Sequence, residues 1–227
     1  METPLAIPAS ATPRAPSLVR LALPGLLLPA SFLGVAVMAV ALQPLLALLP
    51  SDTSQAAQFP MIGLALFIFG GLWARALARH VDTGLRRRMM WAGAISHLVL
   101  VILAALVLGR AEEAFVSEGT SPLPIHNLFT ALFVPATAIV CGGMTAAIGL
   151  AAGGGRLAGR LAWRGALAGA AAFLIANVIQ DLLGRRVGGP NAAETATMIT
   201  VMFISNTTAA LAMTAAIARG LRAARTA

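Results

Sequence analysis

The chain has 227 residues, of which 59% are hydrophobic and 11% are charged, and its mean hydropathy is +0.86. Soluble domains carry about 25% charged residues, and a soluble fold of this length has no way to cover so much apolar surface. The net charge of +8 does not indicate nucleic-acid binding, because the arginines cluster at the ends of apolar runs and no basic face with interleaved aromatics is seen. We therefore predict an all-α integral membrane protein. Its expected partner is the lipid bilayer, and we expect it to bind no nucleic acid.

The N-terminal segment, residues 1–17, is polar and rich in proline, which predicts a disordered lead-in. An apolar run follows at residues 18–49. It is too long for the core of a signal peptide and has no convincing cleavage site, so we predict a retained first membrane span. Pro24, Pro29 and Pro44 predict kinks within this span.

Five further apolar runs follow, each near or above the roughly 20 residues that cross a bilayer core. Most of the connecting loops are short, which predicts antiparallel helical hairpins and leaves no room for a soluble domain. We predict a bundle of six transmembrane helices, formed by a transmembrane domain at 18–219 with a basic C-terminal tail at 220–227. The spans after the first are predicted at 59–77, 89–109, 125–150, 161–183 and 195–218.

The distribution of charge across these spans predicts the orientation of the chain. With the N-terminus inside, six of the eight acidic residues fall outside and thirteen of the sixteen arginines fall inside, as expected of a membrane protein whose N- and C-termini are both cytoplasmic. The thirteen arginines predicted inside are Arg14, Arg20, Arg75, Arg79, Arg86, Arg87, Arg88, Arg156, Arg160, Arg164, Arg219, Arg222 and Arg225.

The chain contains sixteen arginines and no lysine, and alanine is abundant. This composition is typical of a GC-rich bacterial genome, so we expect a multi-pass protein of the inner membrane.

Features near the arginine-rich segments suggest interfaces. Trp73, Trp91 and Trp163 are predicted to form an interfacial belt on the cytoplasmic side. The loop from Arg75 to Arg88 is the predicted docking surface for partner subunits, and the favoured alternative is a solvated charge cluster that faces the lipid headgroups. Two GxxxG motifs, at 149–153 and 165–169, predict close helix packing or a homo-oligomer interface.

Polar residues inside the apolar runs are the candidates for function, because burying them in a bilayer is costly. His97 and Asn206 are predicted at similar depths near the middle of their spans, and with Asn177 and Ser205 they would line a substrate site at the midplane. Asp181 and Glu194 would form an outer vestibule. The structural alternatives are that His97 only bonds a neighbouring helix and that Asp181 pairs with Arg185 one turn away.

A weak repeat adds to this picture. Met-Thr-Ala-Ala-Ile occurs at 144–148 in the fourth span and again at 213–217 in the sixth, as duplicated hairpins would produce.

The sequence contains no signature of an enzyme, and its single cysteine, Cys141, excludes a disulfide within the chain and a cysteine-based zinc site. The three histidines are predicted at different depths, so bis-histidine haem is not expected. A copper(I) path through Cys141, His97 and the methionines of the sixth span is a minor alternative. We expect no cofactor and predict a small transporter or permease subunit. The other interpretation is a non-catalytic accessory subunit of a larger membrane complex.

Overall fold

The computed structural model describes residues 17–46, 51–80, 83–112, 125–187 and 194–226, and within these ranges it contains helices and no strand. An all-helical fold was predicted, and the described residues confirm it. The α-helices are α1 (Leu18–Ala22), α2 (Leu27–Leu46), α3 (Ser51–Leu77), α4 (Arg86–Glu112), α5 (Ile125–Gly153), α6 (Gly155–Val187) and α7 (Glu194–Thr226), with 3-10 turns at Leu23–Leu26, Ala78–His80 and Thr83–Leu85.

Four of these helices contain stretches long and apolar enough to cross a membrane, counted among the described residues. They are Phe59–Leu77, Arg86–Ala111, Ala131–Gly153 and Gly155–Ile179, and a shorter apolar helix covers Leu18–Gly34. Large apolar side chains such as Leu106, Val107, Ile139 and Trp163 are exposed on the outside of the bundle, where lipid would surround them. These helices fit a membrane protein.

The first apolar run is broken near its start, as its prolines predict. Ser17 caps α1, its Oγ accepting a hydrogen bond from the backbone N–H of Arg20. Pro24 lies in the 3-10 turn between α1 and α2, where its missing N–H costs the helix least. The rest of the predicted lead-in, residues 1–16, lies outside the described residues.

The long helices pack mainly on their neighbours in sequence. The pairs α2–α3, α3–α4, α4–α5, α5–α6 and α6–α7 all have extensive contacts, and α7 also packs on α1, on the first 3-10 turn and on α2. The last helix of the bundle therefore contacts the first helical segments. A basic tail was predicted from residue 220, and α7 continues through this segment to Thr226.

The hydrophobic core lies at the end of the bundle that carries Arg75, Arg86, Arg160 and Arg219, which we call the arginine-rich end. Its largest buried side chains come from the last turns of α3, the first turn of α4 and the C-terminal halves of α5 and α7, and Trp73, Leu77, Met89, Ile148 and Ile217 are examples. Trp73 is fully buried, so its predicted place in an interfacial belt is wrong, because the side chain points into the bundle. Trp91 and Trp163 are 45% and 68% exposed.

A single residue joins α5 to α6. Gly154 has φ +82°, a left-handed conformation that side chains disfavour, and its N–H bonds the carbonyl of Leu150. This tight turn brings the helices so close that a Cβ on Gly149 would lie 2.5 Å from the Cα of Ala158. The GxxxG glycines Gly149, Gly165 and Gly169 all lie where α5 and α6 approach each other.

Candidate functional site

A cavity of about 410 Å³ lies between α2, α4, α5 and α7. On α4 its wall runs from His97 to Gly109, twelve residues that rise about 18 Å along a helix. Most of the wall is aliphatic or aromatic, and Phe133 is held in place by stacking on the buried Phe173, with ring centroids 6.4 Å apart. Ligand cavities in proteins commonly measure about 300–1,000 Å³, so this one can hold a small molecule.

The hydrophobic core closes one end of the cavity. Leu28, Met144 and Met213 belong to both the core and the cavity wall. Beyond them, towards the arginine-rich end, the fully buried Ile148 and Ile217 fill the centre of the bundle. The cavity therefore extends from this packed layer towards the C-terminal end of α4.

His97 lies on the cavity wall and is tied to α3. Its Nδ1 lies 2.8 Å from the backbone carbonyl oxygen of Leu66, and only 3% of the residue is exposed. Because a carbonyl oxygen can only accept, Nδ1 carries the proton and donates it. In the neutral ring, Nε2 then offers a lone pair, which can accept a hydrogen bond or bind a metal.

A close crossing of α3 and α4 gives the imidazole its position. A Cβ on Gly70 would lie 2.5 Å from the Cβ of His97 and 2.7 Å from the carbonyl oxygen of Gly93. A Cβ on Gly93 would in turn lie 2.3 Å from the Cβ of Ala74. Sequence reasoning missed this crossing, although the small-xxx-small spacing of Gly70 and Ala74 is a signal that could have found it.

The polar groups of the cavity come from three helices. His97 on α4, Thr137 and Cys141 on α5, and Asn206 on α7 all line it, and none of the lining residues among those described is charged. His97 and Asn206, which the sequence predicts at similar depth, thus line one cavity from α4 and α7. Thr137 was not singled out from the sequence, because one threonine in an apolar helix usually bonds its own backbone.

The other predicted site residues lie elsewhere or fall outside the described residues. Asn177 on α6 and Ser205 on α7 are both buried, but they are not part of the cavity wall. Asp181 and Glu194 fall on the helical backbones of α6 and α7, and their side chains lie outside the described part of the chain. Of the four residues predicted for the midplane site, only His97 and Asn206 line the cavity.

Both copies of the Met-Thr-Ala-Ala-Ile repeat face the core. Thr145 Oγ1 lies 2.9 Å from the carbonyl oxygen of Gly142 in its own helix and 3.0 Å from that of Leu161, so its one proton is shared between α5 and α6. Thr214 accepts a hydrogen bond from Trp73 Nε1 at 2.9 Å, which joins α7 to α3. The two threonines are fully buried, as are the isoleucines that end each copy, Ile148 and Ile217. Each copy thus fastens its helix to a neighbour.

The sulfur-bearing side chains Cys141, Met144 and Met213 border the same cavity as His97. The soft sulfur donors that a copper(I) site would need therefore lie around one cavity. In the part of the chain that the structure describes, no three His, Cys, Asp or Glu side chains are grouped so as to hold a metal ion.

No protein-family model matches the chain, and no curated protein or solved structure shows significant similarity to it.

Proposed function

We propose that the chain is a small transporter or permease subunit of a bacterial inner membrane, with six spans, both termini in the cytoplasm and a substrate site in the central cavity. One observation carries this proposal. A cavity of about 410 Å³ reaches about 18 Å along α4, and His97 and Asn206 both line it. In a chain that only holds helices together, side chains would be expected to fill this space, because protein interiors are close-packed.

The chemistry of the wall limits the substrate. An ion would lose its hydration in a mainly apolar space that offers it no charged side chain among the described residues, and this would cost several kcal/mol. The proposed substrate is therefore small, uncharged and largely apolar. A hydroxyl or amine at one end would donate to Nε2 of His97, and Asn206 would bind the same polar end.

The closed end of the cavity suggests the direction of access. The core around Trp73 and Ile217 separates the cavity from the arginine-rich end, which is cytoplasmic in the proposed orientation. Substrate would enter from the end of α4 at Gly109, past an outer vestibule that includes Asp181 and Glu194. Release to the cytoplasm would require the core layer to open, as in the alternating access of transporters built from helical repeats.

The proposal can be tested by labelling the cysteine of the native chain. Cys141 is its only cysteine and lines the cavity. A small, uncharged methanethiosulfonate, which the apolar cavity can admit, will label Cys141 if water also reaches the cavity, because the reaction needs a hydrated thiolate.

A matched control moves the cysteine to the lipid-facing surface of the same helix. In the Cys141→Ala, Ile139→Cys variant, the new thiol lies at a position that is 69% exposed on the outside of the bundle. Lipid should keep it unreactive, because the thiolate does not form in hydrocarbon. If native Cys141 is as unreactive as this control towards the uncharged reagent, the cavity holds no water path and the transport proposal fails.

One observation favours the accessory-subunit alternative. The bond from His97 Nδ1 to Leu66 is what a purely structural histidine would make. In that case partner subunits would dock at the Arg75–Arg88 loop, and the chain would co-purify with them at a fixed ratio. A chain that purifies alone, or only as a homo-oligomer, and whose Cys141 reacts with the reagent would exclude this alternative.

A further inference from the structure

A second cavity, also of about 410 Å³, lies at the arginine-rich end of the bundle between α2, α3 and α4. Arg75 lines it near the end of α3, Arg79 from the 3-10 turn that follows, and Arg86 from the first residue of α4. The rest of its wall is apolar and includes Leu27 and Leu72. Among the described residues it shares none with the central cavity.

Three arginines that line one cavity offer groups that suit an anion. Each guanidinium is permanently charged, and its planar set of N–H donors matches the oxygens of a phosphate group. All three arginine side chains are exposed, so a ligand can reach them from the outside of the bundle.

An apolar stripe on α3 leads to the same cavity. Leu64, Ile68 and Leu72 are spaced by four residues and are 54%, 46% and 44% exposed. Arg75 and Arg79 continue this face at spacings of three and four. In a bilayer the stripe would lie against acyl chains and the arginines at the depth of the headgroups.

We propose that the cavity lined by Arg75, Arg79 and Arg86 binds the phosphate of an anionic phospholipid, whose acyl chain lies along Leu64, Ile68 and Leu72. A basic pocket between helices, with hydrocarbon-facing surface directly beside it, suits a lipid headgroup better than a free anion. Orientation alone requires only that the arginines lie on one side of the membrane. It does not require three of them to surround one cavity, and the adjacent, exposed Arg87 and Arg88 do not line it.

The proposal is independent of transport and can be tested on the purified full chain. The protein in mild detergent is mixed with equal amounts of phosphatidylglycerol and phosphatidylcholine, and the retained lipid is counted by native mass spectrometry. The wild type should retain phosphatidylglycerol preferentially. The R75Q/R79Q/R86Q variant should lose this preference, with affinity falling about fivefold for each guanidinium removed.

The matched control, R87Q/R88Q/R160Q, removes the same number of exposed arginines outside the cavity and should bind phosphatidylglycerol as the wild type does. Equal loss in both triple variants would mean a general effect of charge and would overturn the proposal. Release of the lipid by millimolar inorganic phosphate would overturn it too, by showing a site for a free anion. If the first triple variant does not fold, the single variants R79Q and R88Q give the same comparison.

Discussion

The indole Nε1 of Trp73 donates a 2.9 Å hydrogen bond to Oγ1 of Thr214, and the two residues are 141 positions apart in the chain. This bond joins α3 to α7, and both side chains are fully buried. It lies within the packed layer that separates the central cavity from the arginine-rich end of the bundle. The bond therefore fastens the part of the bundle that a transporter would have to open.

Thr214→Val should destabilise the protein by about 1–3 kcal/mol, because valine keeps the shape of threonine but leaves the buried indole N–H without its acceptor. The free energy of unfolding is measured by titrating the purified chain with SDS and following helix content by circular dichroism. Thr208→Val is the matched control, since among the described residues Thr208 bonds the carbonyl oxygen of Ile204 in its own helix, at 2.8 Å, and no other helix. Equal stability of the two variants would contradict the importance of the Trp73 bond.

Gly70→Ala should be destabilising, by about 1–3 kcal/mol, because its Cβ would lie 2.5 Å from the Cβ of His97 and α3 and α4 would have to separate. The neighbouring Gly71→Ala is the control. There a Cβ would make an ordinary contact at 3.4 Å with Ala94, and alanine's higher helix propensity should leave stability unchanged or raise it by up to about 1 kcal/mol. The same SDS titration measures both, and a stable Gly70→Ala variant would show that the crossing is looser than described.

Gly154→Ala should cost about 1–2 kcal/mol, because φ +82° places the alanine Cβ against the following carbonyl oxygen. Gly159→Ala, five residues on, should act in the opposite direction. Gly159 lies within α6, and no atom of the residues that the structure describes lies within 4 Å of its Cβ position, so alanine there should stabilise the helix by up to about 1 kcal/mol. Thermal unfolding in detergent should give shifts of opposite sign, and shifts of the same sign would rule out a left-handed turn at Gly154.

Ala136→Phe should slow the labelling of Cys141 about tenfold or more, because the phenyl ring would occupy the cavity beside the thiol. A steric block of this kind corresponds to about 1.4 kcal/mol in the barrier to access for each tenfold change in rate. Both residues line the cavity from α5. Ile139→Phe, on the lipid-facing side of the same helix, should leave the labelling rate unchanged. If the two variants label alike, reagent reaches Cys141 by a route other than the cavity.

Much of the candidate site was visible in the sequence as isolated residues. His97 and Asn206 stand out because a polar group within an apolar run needs a partner, whatever the fold. The sequence predicts only that they lie at similar depth, since helical rise fixes depth and leaves the direction of a side chain open. Asn177 and Ser205 met the same criterion of depth, and they are buried but do not line the cavity.

Composition and the lengths of the apolar runs were enough to determine an all-helical chain with long apolar helices, because a membrane leaves a backbone few other ways to satisfy its hydrogen bonds. Only the tertiary structure decided which faces of these helices meet. The burial of Trp73, the Gly70–Gly93 crossing that positions His97 and the cavity shared by α2, α4, α5 and α7 all depend on contacts between distant segments. Several of the helices, α2, α3 and α4 among them, differ little in hydrophobicity from one side to the other. In these helices hydrophobic periodicity does not mark the faces that pack against each other, and shape and small residues select them instead.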